Sequence, residues 1–149
     1  MYPMMVDISK RKVVVVGGGK IATRKIKELI RCGAQPIVIA PAISPEIQGW
    51  TDDGQIVLSR RAFQPGDLAE ATFIFICTDD PVTNRAIRSE IGPHQFLNDT
   101  TDRNNSDFIN LATLRQEDYL VAVSTFGNDP RKAKRLLHEI AEKINPAQA

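Results

Sequence analysis

The sequence predicts an α/β fold, a doubly wound parallel sheet with a β-hairpin and a C-terminal helix appended. Three observations predict it. Apolar, β-branched or aromatic runs of strand length, KVVVVG at Lys12–Gly17 and FIFIC at Phe73–Cys77, read as strands covered on both faces. These runs alternate with segments of helical spacing, the order expected of βαβ units. After Ser106 the pattern changes to two short strands and one long amphipathic helix.

Taken in order, Lys12–Gly17 enters a glycine cluster, and Ile21–Cys32 follows with Ile21, Ala22, Ile26, Leu29 and Ile30 on one side. Gly33 is the stop signal of that helix. Pro36–Ala40 is the next strand, ended by Pro41, and the three pieces have the length of a βαβ crossover. Ile43–Gly49 reads as a short helix, Gln55–Ser59 as a third strand and Phe73–Cys77 as a fourth. Pro81 suits a first helical turn, so Val82–Ile91 reads as a helix closed by Gly92-Pro93. Gln95–Leu97 is a short strand running into the polar stretch Asn98–Ser106. Phe108–Leu114 and Tyr119–Ser124 read as a hairpin turning at Arg115–Asp118, and Pro130–Ile144 as the final helix. The predicted organisation is a nucleotide-binding domain over residues 1–106 and a hairpin-plus-helix region over residues 107–149, within one compact unit.

A chain of 149 residues buries a real core without disulfide or metal staples. A formal net charge of +1 argues against bulk nucleic-acid binding, which wants a basic excess. Cys32 and Cys77 stand far apart in no ligand-like spacing and read as reduced packing residues; His94 and His138 read as non-ligands, so no metal is expected. Met1–Lys10 has no apolar leader region, and no run approaches the ~20 residues of a membrane span. A cytoplasmic location is the expectation.

Gly17-Gly18-Gly19-Lys20-Ile21-Ala22 is G-x-G-x-x-A at a strand-to-helix junction, the dinucleotide fingerprint of a Rossmann-type unit. Gly17 permits the tight turn, Gly19 lets backbone approach a pyrophosphate, and Ala22 keeps the helix close to the sheet. The helix start offers free N–H groups and its positive dipole end to phosphates. Lys20 is either an exposed helix-start lysine or a phosphate-side contact. The acidic residue that often ends the second strand is missing, and Ala40-Pro41-Ala42 stands there instead. The ribose is therefore expected on the backbone at Pro41 and Ala42, or on Ser44, and charge does not decide between NAD and NADP.

A second loop, Thr78-Asp79-Asp80-Pro81, follows the buried fourth strand and should face the same crevice. Asp80 reads as a helix cap, and Thr78 as either a loop residue or a cofactor contact.

Tyr2-Pro3, VVVVGGGKIATRKIKELIRCGA, CTDDPVTNRAI, LNDTTDRNNSDFINLA and VAVSTFGNDPRKAKRLLHEI follow one another in an order that resembles precorrin-2 dehydrogenases, including the N-terminal portion of the bifunctional siroheme synthases. The resemblance covers nearly the whole chain. It implies NAD-dependent oxidation of precorrin-2, a tetrapyrrole, to sirohydrochlorin in siroheme biosynthesis. It also implies a homodimer built partly from the segment after the Rossmann core. Many members continue into a further helical domain, which this sequence, ending at Ala149, is expected to lack.

The resemblance also bears on the catalytic segment. Relatives read Asn-Val-Val-Asp where this chain has Asn98-Asp99-Thr100-Thr101, so Thr101 falls where the family's proposed catalytic aspartate stands. Asp102 is adjacent and is favoured as the proton acceptor, with Asp99 and water as alternatives. STFGNDP departs from the usual STGG-x-SP: Phe126 replaces a glycine and Asp129 a serine, while Ser124 still matches. Ser124, Arg131 and Lys132 are the expected substrate contacts, since a substrate rich in carboxylates wants cations and helix N-termini. Two other readings stay open: a nucleotide-sensing regulatory domain without catalysis, and an additional sirohydrochlorin ferrochelatase activity.

Overall fold

Four consecutive valines, Val13–Val16, form β1, and none is more than 3% exposed. Val13 and Val15 face one layer while Val14 and Val16 face the other, the alternation required of a strand covered on both sides. Burying each valine contributes about 1.5–3 kcal/mol, which makes β1 the axis of the core.

Around it lie β2 (Ile37–Ile39), β3 (Val57–Ser59), β4 (Phe73–Ile76) and β5 (Phe96–Asp99), all parallel, in the order β3-β2-β1-β4-β5. The order reverses between β1 and β4, the switch point where a doubly wound sheet opens its ligand crevice. α1 (Lys20–Arg31) and α2 (Pro45–Asp52) cover one face through Ala22, Ile26, Leu29 and Ile47. α3 (Pro81–Glu90) covers the other through Ile87, beside Leu68. The fold is the doubly wound α/β class expected.

The computed structural model describes residues 1–144, in two units: Tyr2–Phe108, and the segment from Ile109 onward. In the second, β6 (Ala112–Arg115) pairs antiparallel with β7 (Leu120–Val123), and α4 (Pro130–Ile144) packs against both strands. Gln116 N–H donates to the Tyr119 carbonyl across the turn. Asp129 starts α4: its carboxylate accepts from Lys132 N–H and its carbonyl from Ala133 N–H.

Four local readings are corrected. β5 runs on to Asp99, two residues past Leu97, because Asn98 and Asp99 pair with Phe75 and Ile76 and find polar partners of their own. Phe108 does not begin a strand; its ring packs edge-on against Phe73 and Phe75, and β6 starts only at Ala112. The second helix starts at Pro45, since the Ser44 hydroxyl accepts from Ile47 N–H and caps it. Ile21 and Cys32, expected to pack, are exposed at the two ends of α1.

Candidate functional site: a dinucleotide cradle at the carboxyl edge of the sheet

Gly17 leaves β1 with φ +123°, a conformation that side chains rarely adopt, and a Cβ there would meet the Cys77 carbonyl oxygen at 2.4 Å. Glycine is thus required for the turn that brings β1 against the end of β4. Gly18, which sequence reasoning passed over, is equally constrained: its Cβ would fall 2.2 Å from the Ala42 carbonyl oxygen. The Ser44 N–H donates to the Gly18 carbonyl at 2.9 Å, so the glycine turn and the Pro41–Ser44 loop are locked together.

Gly19 is different. Nothing lies within 4 Å of where its Cβ would be, so the turn leaves a space in front of it. Gly19 is also the N-cap of α1 and supplies no side-chain cap, and the first turn of α1 carries no acidic residue. The helix therefore starts with N–H groups that no side chain has satisfied, which is where an anion is stabilised. Lys20 and Ile21 stand exposed at the mouth of this space, and Ala22 is fully buried beneath it. These residues fit a dinucleotide's pyrophosphate.

Pro41 and Ala42, where a ribose was expected, are both exposed. Ser44 is occupied locally: its hydroxyl lies 2.8 Å from that of Thr23 and caps α2. Across the switch point, Thr78 Oγ1 accepts from Asp80 N–H, and Asp80 caps α3 by accepting from Val82 and Thr83 N–H. Asn84, buried, donates from Nδ2 to the Thr78 carbonyl at 3.1 Å, and its Oδ1 has no partner among the described residues. Cys77 and Lys25 lie below this loop. Burial pushes the Cys77 thiol up to about 11 and the Lys25 ammonium down to about 8; each group's charge pulls the other back toward ionisation. Lys25 donates to Asn98 Oδ1 at 2.9 Å and sits over the Phe75 ring.

The end of β5 holds the expected catalytic segment. The Asp99 side chain is fully buried and bound by five donors. Arg88 on α3 supplies Nε at 2.7 Å and Nη2 at 2.5 Å; Thr101 supplies its amide and hydroxyl at 2.9 and 2.7 Å; Asp102 N–H is at 3.1 Å. Burial alone would raise this carboxyl, but the bonds from Thr101, Arg88 and Asp102 outweigh it and hold the group below the usual carboxylate range. Thr101 is exposed; its hydroxyl donates to Asp99 Oδ1 and accepts from Arg88 Nη2 at 3.1 Å. Asp102 is exposed and caps the 3-10 turn Arg103–Asn105, accepting from Asn104 N–H and Asn105 Nδ2. Sequence reasoning missed Arg88, whose link to Asp99 spans eleven residues and two elements.

In the second unit, Ser124 Oγ accepts from Phe126 N–H, and Phe126 is 68% exposed with φ +53°. Arg131 and Lys132 are exposed on the first turn of α4, where the Asp129 carboxylate already occupies one N–H.

Comparison with known proteins extends these observations. A family model described as "Putative NAD(P)-binding" matches residues 4–112. A precorrin-2 dehydrogenase of Priestia megaterium is 33% identical over 145 residues, covering 97% of this chain and 72% of that protein. One of Bacillus subtilis (strain 168) is 30% identical, covering 97% of this chain and 90% of that protein. A siroheme synthase of Serratia proteamaculans (strain 568) is 34% identical, but the chain spans only 30% of its length. Among solved structures, the precorrin-2 dehydrogenase SirC superposes with a TM-score of 0.86 at 33% identity, over 96% of this chain and 71% of SirC.

Proposed function

The chain belongs to the precorrin-2 dehydrogenase family, and from that premise we propose that it oxidises precorrin-2 to sirohydrochlorin with NAD⁺ in siroheme biosynthesis. The observation that carries the reading is the cradle itself: an open space at Gly19 facing the side-chain-uncapped start of α1, at the switch point of the sheet. NAD⁺ supplies a hydride acceptor, which the side chains of this protein do not.

The chain's own residues bind and orient. Gly19, Lys20 and Ile21 face the diphosphate, on a turn that Gly17 permits and a helix start that Ala22 keeps close to the sheet; Pro41 and Ala42 line the adenosine ribose through their backbone, and Thr78 borders the nicotinamide side. With no carboxylate after β2, hydroxyl contacts through main-chain groups fit NAD without excluding the phosphorylated form by charge. Ser124, Arg131 and Lys132 meet carboxylate arms of the tetrapyrrole. One proton must leave the substrate besides the hydride, and its acceptor lies in the turn Asp99–Asp102, where Thr101 and Asp102 are the exposed groups.

The protein works as a homodimer in the cytoplasm. In support, Ala133 is the one buried residue among the described positions of the second unit. Leu114, Leu120, Val121, Val123, Leu136 and Leu137 stay half-buried and want a cover. Among the described residues no helix is long and apolar enough to cross a membrane.

The test is spectroscopic. Protein mixed with precorrin-2 and NAD⁺ should produce the sirohydrochlorin spectrum together with NADH absorbance. Neither signal appearing, with nucleotide binding intact, would remove the dehydrogenase reading.

A further inference from the structure

The turn after β5 presents two exposed groups of different chemistry: the Asp102 carboxylate, engaged in capping the next turn, and the Thr101 hydroxyl. Asp99 cannot touch a substrate, because its side chain is fully buried. Its charge is nevertheless preserved by a partly buried ion pair with Arg88 and by three further donors. Fixing a two-residue turn does not require an ion pair drawn out of water, whose desolvation offsets much of its attraction. The bond that joins this buried charge to the surface is the one from the Thr101 hydroxyl, at 2.7 Å. Its hydrogen points inward at Asp99 and one lone pair accepts from Arg88 Nη2, which leaves the second lone pair of this exposed hydroxyl for a substrate proton.

We propose that Thr101 and Asp99 form a proton relay, with Thr101 Oγ1 receiving the substrate's proton and Arg88 positioning the carboxylate behind it. This rests on the dehydrogenase reading above. One substrate C–H bond breaks with its electron pair leaving as hydride to the nicotinamide ring. The substrate is left cationic, and the proton on the neighbouring position becomes acidic. That proton passes to Thr101 Oγ1 while the hydroxyl's own proton moves to Asp99 Oδ1, and the C–H electron pair becomes the new double bond. Asp99 then returns the proton to solvent through the same hydroxyl. An acceptor as weak as this carboxylate suffices because the cation, not the neutral substrate, gives up the proton. The charged and titratable groups facing Asp99 are Arg88 from α3 and Cys77 just after β4; Thr101 and Ser106 of its own loop add hydroxyls.

The experiment compares Thr101→Val, Thr101→Ser, Asp102→Asn and Arg88→Met in steady-state turnover, with nucleotide binding by calorimetry. Thr101→Val is expected to lower kcat by about 10²-fold with KM and nucleotide Kd unchanged, the scale of general acid–base catalysis. Thr101→Ser should recover to within a few-fold of the parent, and Asp102→Asn should lose less than Thr101→Val. In Arg88→Met the acid limb of the kcat profile should move up by a unit or more. The Asp99 carboxyl ¹³C resonance of the ligand-free protein should titrate upward with it, a readout independent of turnover. A parent enzyme that works while Thr101→Val stays within threefold overturns the relay alone. So does a larger loss in Asp102→Asn, or an unmoved Asp99 titration. A parent protein that makes no sirohydrochlorin overturns both readings.

Discussion

Gly18 and Ala42 touch through their backbones: a methyl group on Gly18 would sit 2.2 Å from the Ala42 carbonyl oxygen and 2.8 Å from a methyl of Ile43. The loop after β2 is thereby pressed onto the glycine turn, and the side of the cradle proposed for the ribose would take its shape from that contact. Gly18→Ala should displace residues 41–43. The expected result is a loss of at least tenfold in nucleotide affinity with a stability cost of about 1–3 kcal/mol, the range for an overpacked site. Calorimetric titration and thermal melting check both.

Gly19→Ala should behave in the opposite way. Its methyl meets nothing in the protein, so the melting temperature should fall only slightly, since alanine is the poorer N-cap but loses less chain entropy on folding. The space it fills is the one assigned to the pyrophosphate, so nucleotide affinity should fall by tenfold or more. Unchanged affinity in a well-folded Gly19→Ala protein would remove the cradle.

Lys25 gives stability an alkaline pH dependence. Its folded pKa is lowered by burial to about 8, below the unfolded value near 10.4. Between those values the unfolded chain holds more protons, so stability rises with pH, by about 3 kcal/mol from this group alone. Cys77 works against it: its thiol, raised by burial to about 11, keeps its proton where the unfolded thiol has lost it, so stability falls above about pH 9. Denaturation midpoints should therefore rise from pH 8 to about 9 and then level. Lys25→Met should abolish the rise, and Cys77→Ala should extend it.

Ile144 is 44% exposed on α4 and Leu111 is 40% exposed ahead of β6. Glutamate at either position should leave the fold intact and weaken self-association by at least tenfold, read by sedimentation equilibrium. Unchanged association in both variants would place the subunit contact elsewhere.

Arg131→Glu combined with Lys132→Glu reverses two charges on the exposed first turn of α4. KM for precorrin-2 should rise at least tenfold while nucleotide affinity stays as it was. Equal KM values would mean that these cations are merely solvated.

The glycine turn was legible in the sequence because its causes are local: a positive φ at Gly17 and an open face at Gly19 lie within three residues. The end of β5 was not legible in the same way. Asn98 and Asp99 look like loop residues until Lys25, Arg88 and the Phe108 carbonyl are brought to them from elsewhere, and hydropathy patterning does not register such partners. Phe108 failed for a related reason. An aromatic residue beside a β-like run suggests a strand, whereas here its ring closes a cluster with Phe73 and Phe75. The turn Asp99–Asp102 stood out in the sequence as a polar stretch, but the partner that holds Asp99 is Arg88, which no spacing rule connects to it.

The central place of β1 carries a consequence for how the chain is made. Its partner on one flank, β2, follows within about two dozen residues, but the other flank waits for β4, some sixty residues on. Until that second neighbour has left the ribosome, a run of four valines keeps one row of amide and carbonyl groups unsatisfied, which is a template for pairing with other chains. A fragment ending at Ser59 should accordingly precipitate, whereas one that includes residues through Phe108 should stay in solution.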